Sequence, residues 1–243
     1  MRERRRWRRA AGLVLLAGLL AAAPAVVAAP TDGWPWSGVG RVLRDGKGPC
    51  SGVLIGPSLV FTVGHCVAER DPWKASAADR LTVVFGSERY RVAEVRVAPV
   101  SPFDEAGELG PVGNDWALLA LARRPAVEPV PLAGLRGARR AAADGSGVFK
   151  VGWRGDTRRR DVACTVIEVA AGAFTFQCPG GAGQGRSGSA LLARTDEGYV
   201  VLGVQSAEAK NRFTTIGIAV SPETRNRRAP VGAPATGRPP LAR

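Results

Sequence analysis

The sequence predicts an all-β protein, and three observations carry that prediction. From Val39 onward the chain is a succession of short β-rich runs. Glycine and proline punctuate them, and no long stretch repeats apolar residues at helical spacing. About a dozen such runs at this spacing indicate a barrel or a sandwich. The first two, SGVLIG (residues 51–56) and SLVFTVG (58–64), flank the turn Gly56-Pro57-Ser58 and read as a hairpin. LTVVFG (81–86), RYRVAEVRVAP (89–99) and DWALLALA (115–122) follow as strands. A second series runs PVPLAG (129–134), VFKVGW (148–153), RDVACTVIEVA (160–170), AFTFQC (173–178), SALLA (189–193), YVVLGVQS (199–206) and FTTIGIAV (213–220). Between the two series, residues 125–134 have the proline content of a connector. The tail, residues 225–243, is too polar and proline-rich to bury a core and is expected to be disordered. No internal repeat is visible at sequence level.

The chain opens MRERRRWRRA, continues with an apolar run over residues 11–23, and passes through Pro24 and small residues to Ala29. This is the pattern of a cleaved secretory signal over residues 1–29. The apolar part falls short of the roughly 20 residues of a membrane span, so an exported protein, secreted or periplasmic, is expected without a stable membrane anchor. Arg5 and Arg6 leave the export route open between two systems.

A formal net charge of +13 invites a nucleic-acid reading. Its distribution argues otherwise: residues 1–29 carry +5 and residues 222–243 carry +4, which leaves +4 for the body. There the charge is spread without an aromatic-interleaved basic stripe, so nucleic-acid binding has little support. Four cysteines, Cys50, Cys66, Cys164 and Cys178, favour two disulfides over a metal site in an exported chain. They permit three connectivities. With one histidine in the chain, a zinc or copper site is not expected.

That histidine, His65, stands in FTVGHC, directly before Cys66, and a later GQGRSGSALL puts Ser187 in a glycine-flanked turn. An imidazole accepts a hydroxyl proton near neutral pH, whereas a serine hydroxyl alone is too weakly acidic to attack a carbonyl. Ser187 therefore needs His65. A disulfide at Cys66 would clamp the turn that carries the ring, the rigid support a general base requires. The imidazole in turn needs a carboxylate to hold one tautomer, and Asp115 in NDWALLAL lies between the two in chain order. Asp104 lies between them as well, but it shares SPFDEAGEL with Glu105 and Glu108 and reads as part of a solvated acidic face. Asp115 precedes an apolar run, so a buried strand can hold it against the ring.

Three segments carry a resemblance. CSGVLIGPSLVFTVGHC (50–66), NDWALLAL (114–121) and GQGRSGSALL (183–192) resemble the histidine, aspartate and nucleophile segments of trypsin-like serine proteases. The Ser-Gly-Ser ending is similar to the bacterial branch that includes the glutamyl endopeptidases. The resemblance spans about residues 34–221. It implies two six-stranded antiparallel Greek-key barrels with the active site in the cleft between them: an N-terminal barrel over residues 30–127 with a short leader segment, and a C-terminal barrel over residues 128–224. The first would supply His65 and Asp115, the second Ser187. The resemblance selects the pairs Cys50 with Cys66 and Cys164 with Cys178. It makes the N–H groups of Gly185 and Ser187 the donors to the oxyanion, and makes Ser189 a supporting residue. It walls the primary substrate pocket with residues before the nucleophile, here Gly181 and Gln184, and with the strand GVQSAEA, here Gln205 and Ser206.

The resemblance thus implies a serine endopeptidase acting on protein or peptide substrates through an acyl-enzyme, without a cofactor and as a monomer. One position departs from the pattern. Animal members carry an aspartate before the nucleophile, which pairs with the new N-terminal amine on zymogen cleavage; this chain has Arg186, which cannot accept an ammonium group. That switch is excluded, and the rival reading is a catalytically impaired relative that uses the fold as a binding module. PGGAGQG (179–185) offers no carboxylate for a basic substrate side chain, and Glu208 is expected in an exposed loop. The single histidine is committed to catalysis and not to a glutamate pocket, so small or uncharged side chains are the expected substrates.

Overall fold

In a computed structural model of the chain, residues 33–103, 112–170, 172–179, 187–210 and 215–221 are described. All lie in one compact unit, Asp32–Arg243. The signal segment expected over residues 1–29 and the tail over residues 225–243 lie outside the described residues.

The strands follow in chain order: β1 (Val39–Arg44), β2 (Lys47–Gly56), β3 (Leu59–Thr62), β4 (Ala68–Glu69), β5 (Lys74–Ala75), β6 (Leu81–Phe85), β7 (Glu88–Val97), β8 (Ala117–Leu121), β9 (Val148–Arg154), β10 (Thr157–Ala170), β11 (Ala173–Gln177), β12 (Ala190–Thr195), β13 (Gly198–Lys210) and β14 (Thr215–Val220). They form two closed, six-stranded antiparallel barrels in the orders β1-β2-β3-β8-β7-β6 and β10-β11-β14-β13-β12-β9, with β4 and β5 as a separate short hairpin. Read around each closed ring from its first strand, β1 or β9, both orders run first, second, third, sixth, fifth, fourth. The chain therefore repeats one topology in two halves that show no repeat in sequence. Closure removes the open strand edges that a flat sheet would expose.

Period-two burial is what the sequence runs encode. In β8, Ala117, Leu119 and Leu121 are buried while Leu118 and Ala120 are less so. The first core gathers residues of both barrels: Val53, Leu54 and Phe61 pack in one cluster with Val151, Ala190, Leu192, Val201 and Val204. Trp36 belongs to it and lies 5.3 Å from Tyr199 and 5.6 Å from Phe149, ring centroid to ring centroid, so the leading segment packs on the second barrel. The second core holds Phe174, Phe176, Leu191 and Leu202 together with Cys164 and Cys178. The disulfides join Cys50 to Cys66 and Cys164 to Cys178. They close loops with separations of 16 and 14 residues, each stabilising by about 3 kcal/mol in the chain-entropy view.

Three local expectations are corrected. PVPLAG is not a strand: Leu132 makes only an isolated bridge to Val201, and the prolines remove the donors a ladder needs. Instead an α-helix, α1 (Gly134–Asp144), begins there. Its buried face is Leu135, Ala138 and Ala141, and small residues at that spacing give a helical signal too faint to read as a core stripe. Gly137 allows close approach, since a Cβ there would meet Leu202 at 2.8 Å. Gly145, at φ +62°, ends the helix in the left-handed conformation, with its N–H on the Ala141 carbonyl. Glu208, expected in an exposed loop, lies within β13 and is half-buried.

Candidate active site

β3 ends at Thr62, and the chain enters a 3₁₀ turn, Gly64–Cys66, that carries His65 in its middle. Cys66 is tied back to Cys50 in β2, which fixes the turn covalently to the barrel wall. Asp115 stands just before β8, whose residue Ala117 pairs with Thr62 at the end of β3. Adjacent strands therefore bring together two residues 50 positions apart. Asp115 accepts from His65 twice, from the backbone N–H at 2.8 Å and, on its other oxygen, from the ring Nδ1 at 2.7 Å. That arrangement orients the ring and makes Nδ1 the protonated nitrogen.

The opposite ring nitrogen, Nε2, lies 2.9 Å from Ser187 Oγ. With Nδ1 donating to the carboxylate, Nε2 is free to accept the serine proton. Main-chain bonds hold Ser187 from both barrels. Its carbonyl accepts from Ser51 N–H at 2.8 Å, and the next residue, Gly188, donates its N–H to the Gln205 carbonyl at 2.8 Å. Gly188 has φ +79°, and a Cβ there would overlap the Ser51 carbonyl, so this turn requires glycine. Gln205 N–H in turn donates to Ser189 O at 2.8 Å, and Ser189 is fully buried. A Cβ at Gly152 would overlap the Ser189 hydroxyl, which gives VFKVGW a reason for its glycine.

Asp115 has no exposed surface. Burial pushes its carboxyl up, but the His65 ring, the Ser206 hydroxyl and the His65 N–H together hold it below the ordinary carboxylate value. The Ser206 hydroxyl donates to the Asp115 oxygen that also accepts from His65 Nδ1. The sequence reading put Ser206 in the substrate pocket; its hydroxyl is turned to the Asp115 carboxylate. Gln205, from the same reading, is buried, and it contributes its backbone to the serine turn. Gly181, Gln184, Gly185 and Arg186 lie outside the described residues, as does Asp104.

Sequence reasoning missed Trp73. Its indole N–H donates to Ala98 O at 2.8 Å, and its ring edge rests on Gly64. A Cβ at Gly64 would lie 2.9 Å and 3.0 Å from two atoms of that ring and 3.2 Å from Asp115 Oδ1. The glycine in FTVGHC thus makes room for an indole beside the His65–Asp115 pair. Gly64→Ala is expected to push the ring or the histidine turn aside and lower kcat/KM by up to about 10²-fold, the cost of a displacement of about 1 Å at a reacting centre. Gly64→Ala with Trp73→Phe, which shortens the ring, should recover most of the loss; steady-state kinetics on a peptide substrate checks both.

Among the described residues no group of three or more histidine, cysteine, aspartate or glutamate side chains is placed to hold a metal ion. No helix among them is long and apolar enough to cross a membrane. The family model described as Trypsin matches residues 26–224. No curated protein matches the chain.

Proposed function

The chain belongs to the trypsin family of serine proteases, and from that premise we propose that it is an exported endopeptidase working through an acyl-enzyme. One observation carries the reading: Asp115, His65 and Ser187 form an unbroken hydrogen-bonded series from a buried carboxylate to a half-buried hydroxyl. In the proposed mechanism Ser187 Oγ attacks the substrate carbonyl while His65 Nε2 takes its proton. The imidazolium is stabilised by Asp115, which stays ionised because its carboxyl is held low. His65 then protonates the departing amine, and water repeats the sequence to release the acyl group. The N–H groups of Gly185 and Ser187 would receive the oxyanion, each worth about 3 kcal/mol of barrier.

The Ser-Gly-Ser ending at residues 187–189 supports placement in the bacterial branch, and no substrate charge is read by a histidine, since the one present faces Asp115. Two disulfides suit an oxidising compartment, extracellular or periplasmic. Residues 1–29 act as the signal and are removed near residues 28–30. Arg186 favours the second reading, a binding module on the same fold, because a bulky cation before the nucleophile is unusual.

A single experiment addresses export and activity. Protein recovered from outside the producing cell should have an intact mass that starts at residues 28–30, and it should cut a mixture of unstructured peptides after small or uncharged residues. A mass that retains residues 1–20 would make the leader an anchor. Peptides bound yet left whole would establish the binding module. Cleavage dominated by arginine, lysine or glutamate would overturn the specificity, and arginine or lysine would make Glu208, half-buried in β13, the carboxylate responsible.

A further inference from the structure

The short strands β4 and β5 follow the histidine turn, and the residues that join them are Arg70-Asp71-Pro72-Trp73. Both ends of this connection reach Phe103, which lies on the segment between β7 and β8. The Arg70 guanidinium carbon stands 4.2 Å from the Phe103 ring centroid, and the Trp73 ring stands edge-on to Phe103 at 6.0 Å. The indole N–H donates to Ala98 O at 2.8 Å, and Ala98 N–H donates to Trp116 O at 3.1 Å, one residue from Asp115. The inner edge of the indole, Cζ2 and Cη2, rests on Gly64 beside Asp115 Oδ1. Trp73 is therefore held at three points, two of them on the segment that leads to Asp115.

We propose that Trp73 is a positioning residue whose indole is a plug that keeps water from the hydrogen bonds between Asp115 and His65, with Arg70 and Phe103 as the latch that holds the plug in place. The kinetic consequence rests on the endopeptidase reading above; the plug itself does not. Location is the first argument. Asp115 is fully buried, yet Gly64 has no side chain with which to cover Oδ1, and the indole edge takes up the space that a Cβ would need. Trp73 is half-buried, so it stands between solvent and that space.

Chemistry is the second argument. A hydrogen bond between a carboxylate and an imidazole is stronger in a dry setting than in water. Water admitted at Oδ1 would compete with the His65 backbone N–H, which donates to that oxygen at 2.8 Å and fixes the turn, while Nδ1 donates to Oδ2 at 2.7 Å. It would also screen the attraction between Asp115 and the imidazolium that forms when Ser187 gives up its proton. The polar end of the indole has its own acceptor in Ala98 O, so the plug brings no unpaired donor to the site. The latch is suited to a connection at the surface. An arginine over an aromatic face is attracted by the ring while its N–H edge stays in water, and Arg70 is exposed, so it secures Phe103 without burying a charge.

The test uses the one histidine of the chain. Its Nδ1–H gives a single proton resonance, shifted downfield by the carboxylate, and the rate at which that proton exchanges with water reads the plug directly. The native protein should show a resolved signal with slow exchange. Trp73→Ala should speed the exchange by about 10-fold or more, as a local opening does. Trp73→Phe, whose ring is too short to reach Gly64, should speed it less. Gly64→Ala with Trp73→Phe should restore slow exchange, because the added methyl group fills the space that the indole edge leaves. Arg70→Gln should speed exchange by about 2- to 5-fold, the worth of an exposed cation–π contact. On a peptide substrate, Trp73→Phe should lower kcat by about 10-fold and leave KM unchanged, since the screened interaction is made in the transition state. If Trp73→Ala does not fold, Trp73→Phe and Arg70→Gln decide by the same readout. Exchange that stays at the native rate in the Trp73 variants would overturn the proposal, as would a native protein whose Nδ1–H gives no signal. A loss of kcat without faster exchange would also overturn it and make Trp73 a packing residue only. If the native protein cuts no peptide, the endopeptidase reading fails by itself, and the exchange rates still decide the plug.

Discussion

Ser187→Ala and His65→Ala should each remove nearly all peptidase activity, a loss of about 10⁶-fold in kcat, and the double variant should be little worse than either. The reason is mechanical. Ser187 is useful only while Nε2, 2.9 Å away, accepts its proton, and the ring is useful only while a nucleophile faces it. Once one partner is gone, the other has no work to lose. Each variant should retain its fold, because Ser187 is held by its backbone through Ser51 and its neighbour Gly188 through Gln205, and because the Cys50–Cys66 bridge clamps the His65 turn. Losses that add up in the double variant, in single-turnover assays on one peptide, would contradict a unit.

Asp115→Asn should leave the chain folded and lower turnover by about 10⁴-fold. An amide in place of the carboxylate can present N–H to Nδ1, which turns the ring to the tautomer that carries its proton on Nε2 and cannot accept from Ser187. A pH signature accompanies the change. The Asp115 carboxyl is held below its ordinary value in the folded state, so its contribution to stability is present above the unfolded-state value and is lost as pH falls through the folded one. The stability advantage of the native protein over Asp115→Asn should therefore shrink on acidification, as read from urea midpoints across pH. If Asp104→Asn produced the turnover loss instead, the carboxylate assignment would be wrong.

The strands of both barrels were legible because half-buried strands write their pattern locally, as Ala117, Leu119 and Leu121 do in β8. β1 was passed over as a separate run. The helix α1 was not legible, since its buried face is carried by Leu135 and two alanines and it follows prolines that suggested only a connector. The site divides in the same way. His65 and Ser187 announce themselves through the residues beside them in the chain. The contacts that complete the arrangement are non-local. Ser206 reaches Asp115 across 91 residues, and Trp73 reaches over Gly64 from the β4–β5 hairpin.

The central claim is that Ser187 is a nucleophile activated by His65. It is tested most directly by treating the folded protein with a fluorophosphonate and mapping the adduct by mass spectrometry. The account predicts one phosphonyl group on Ser187, formed rapidly in the native protein and absent from His65→Ala and from the denatured chain. Native protein that stays unlabelled, or an adduct on Ser189, would contradict it.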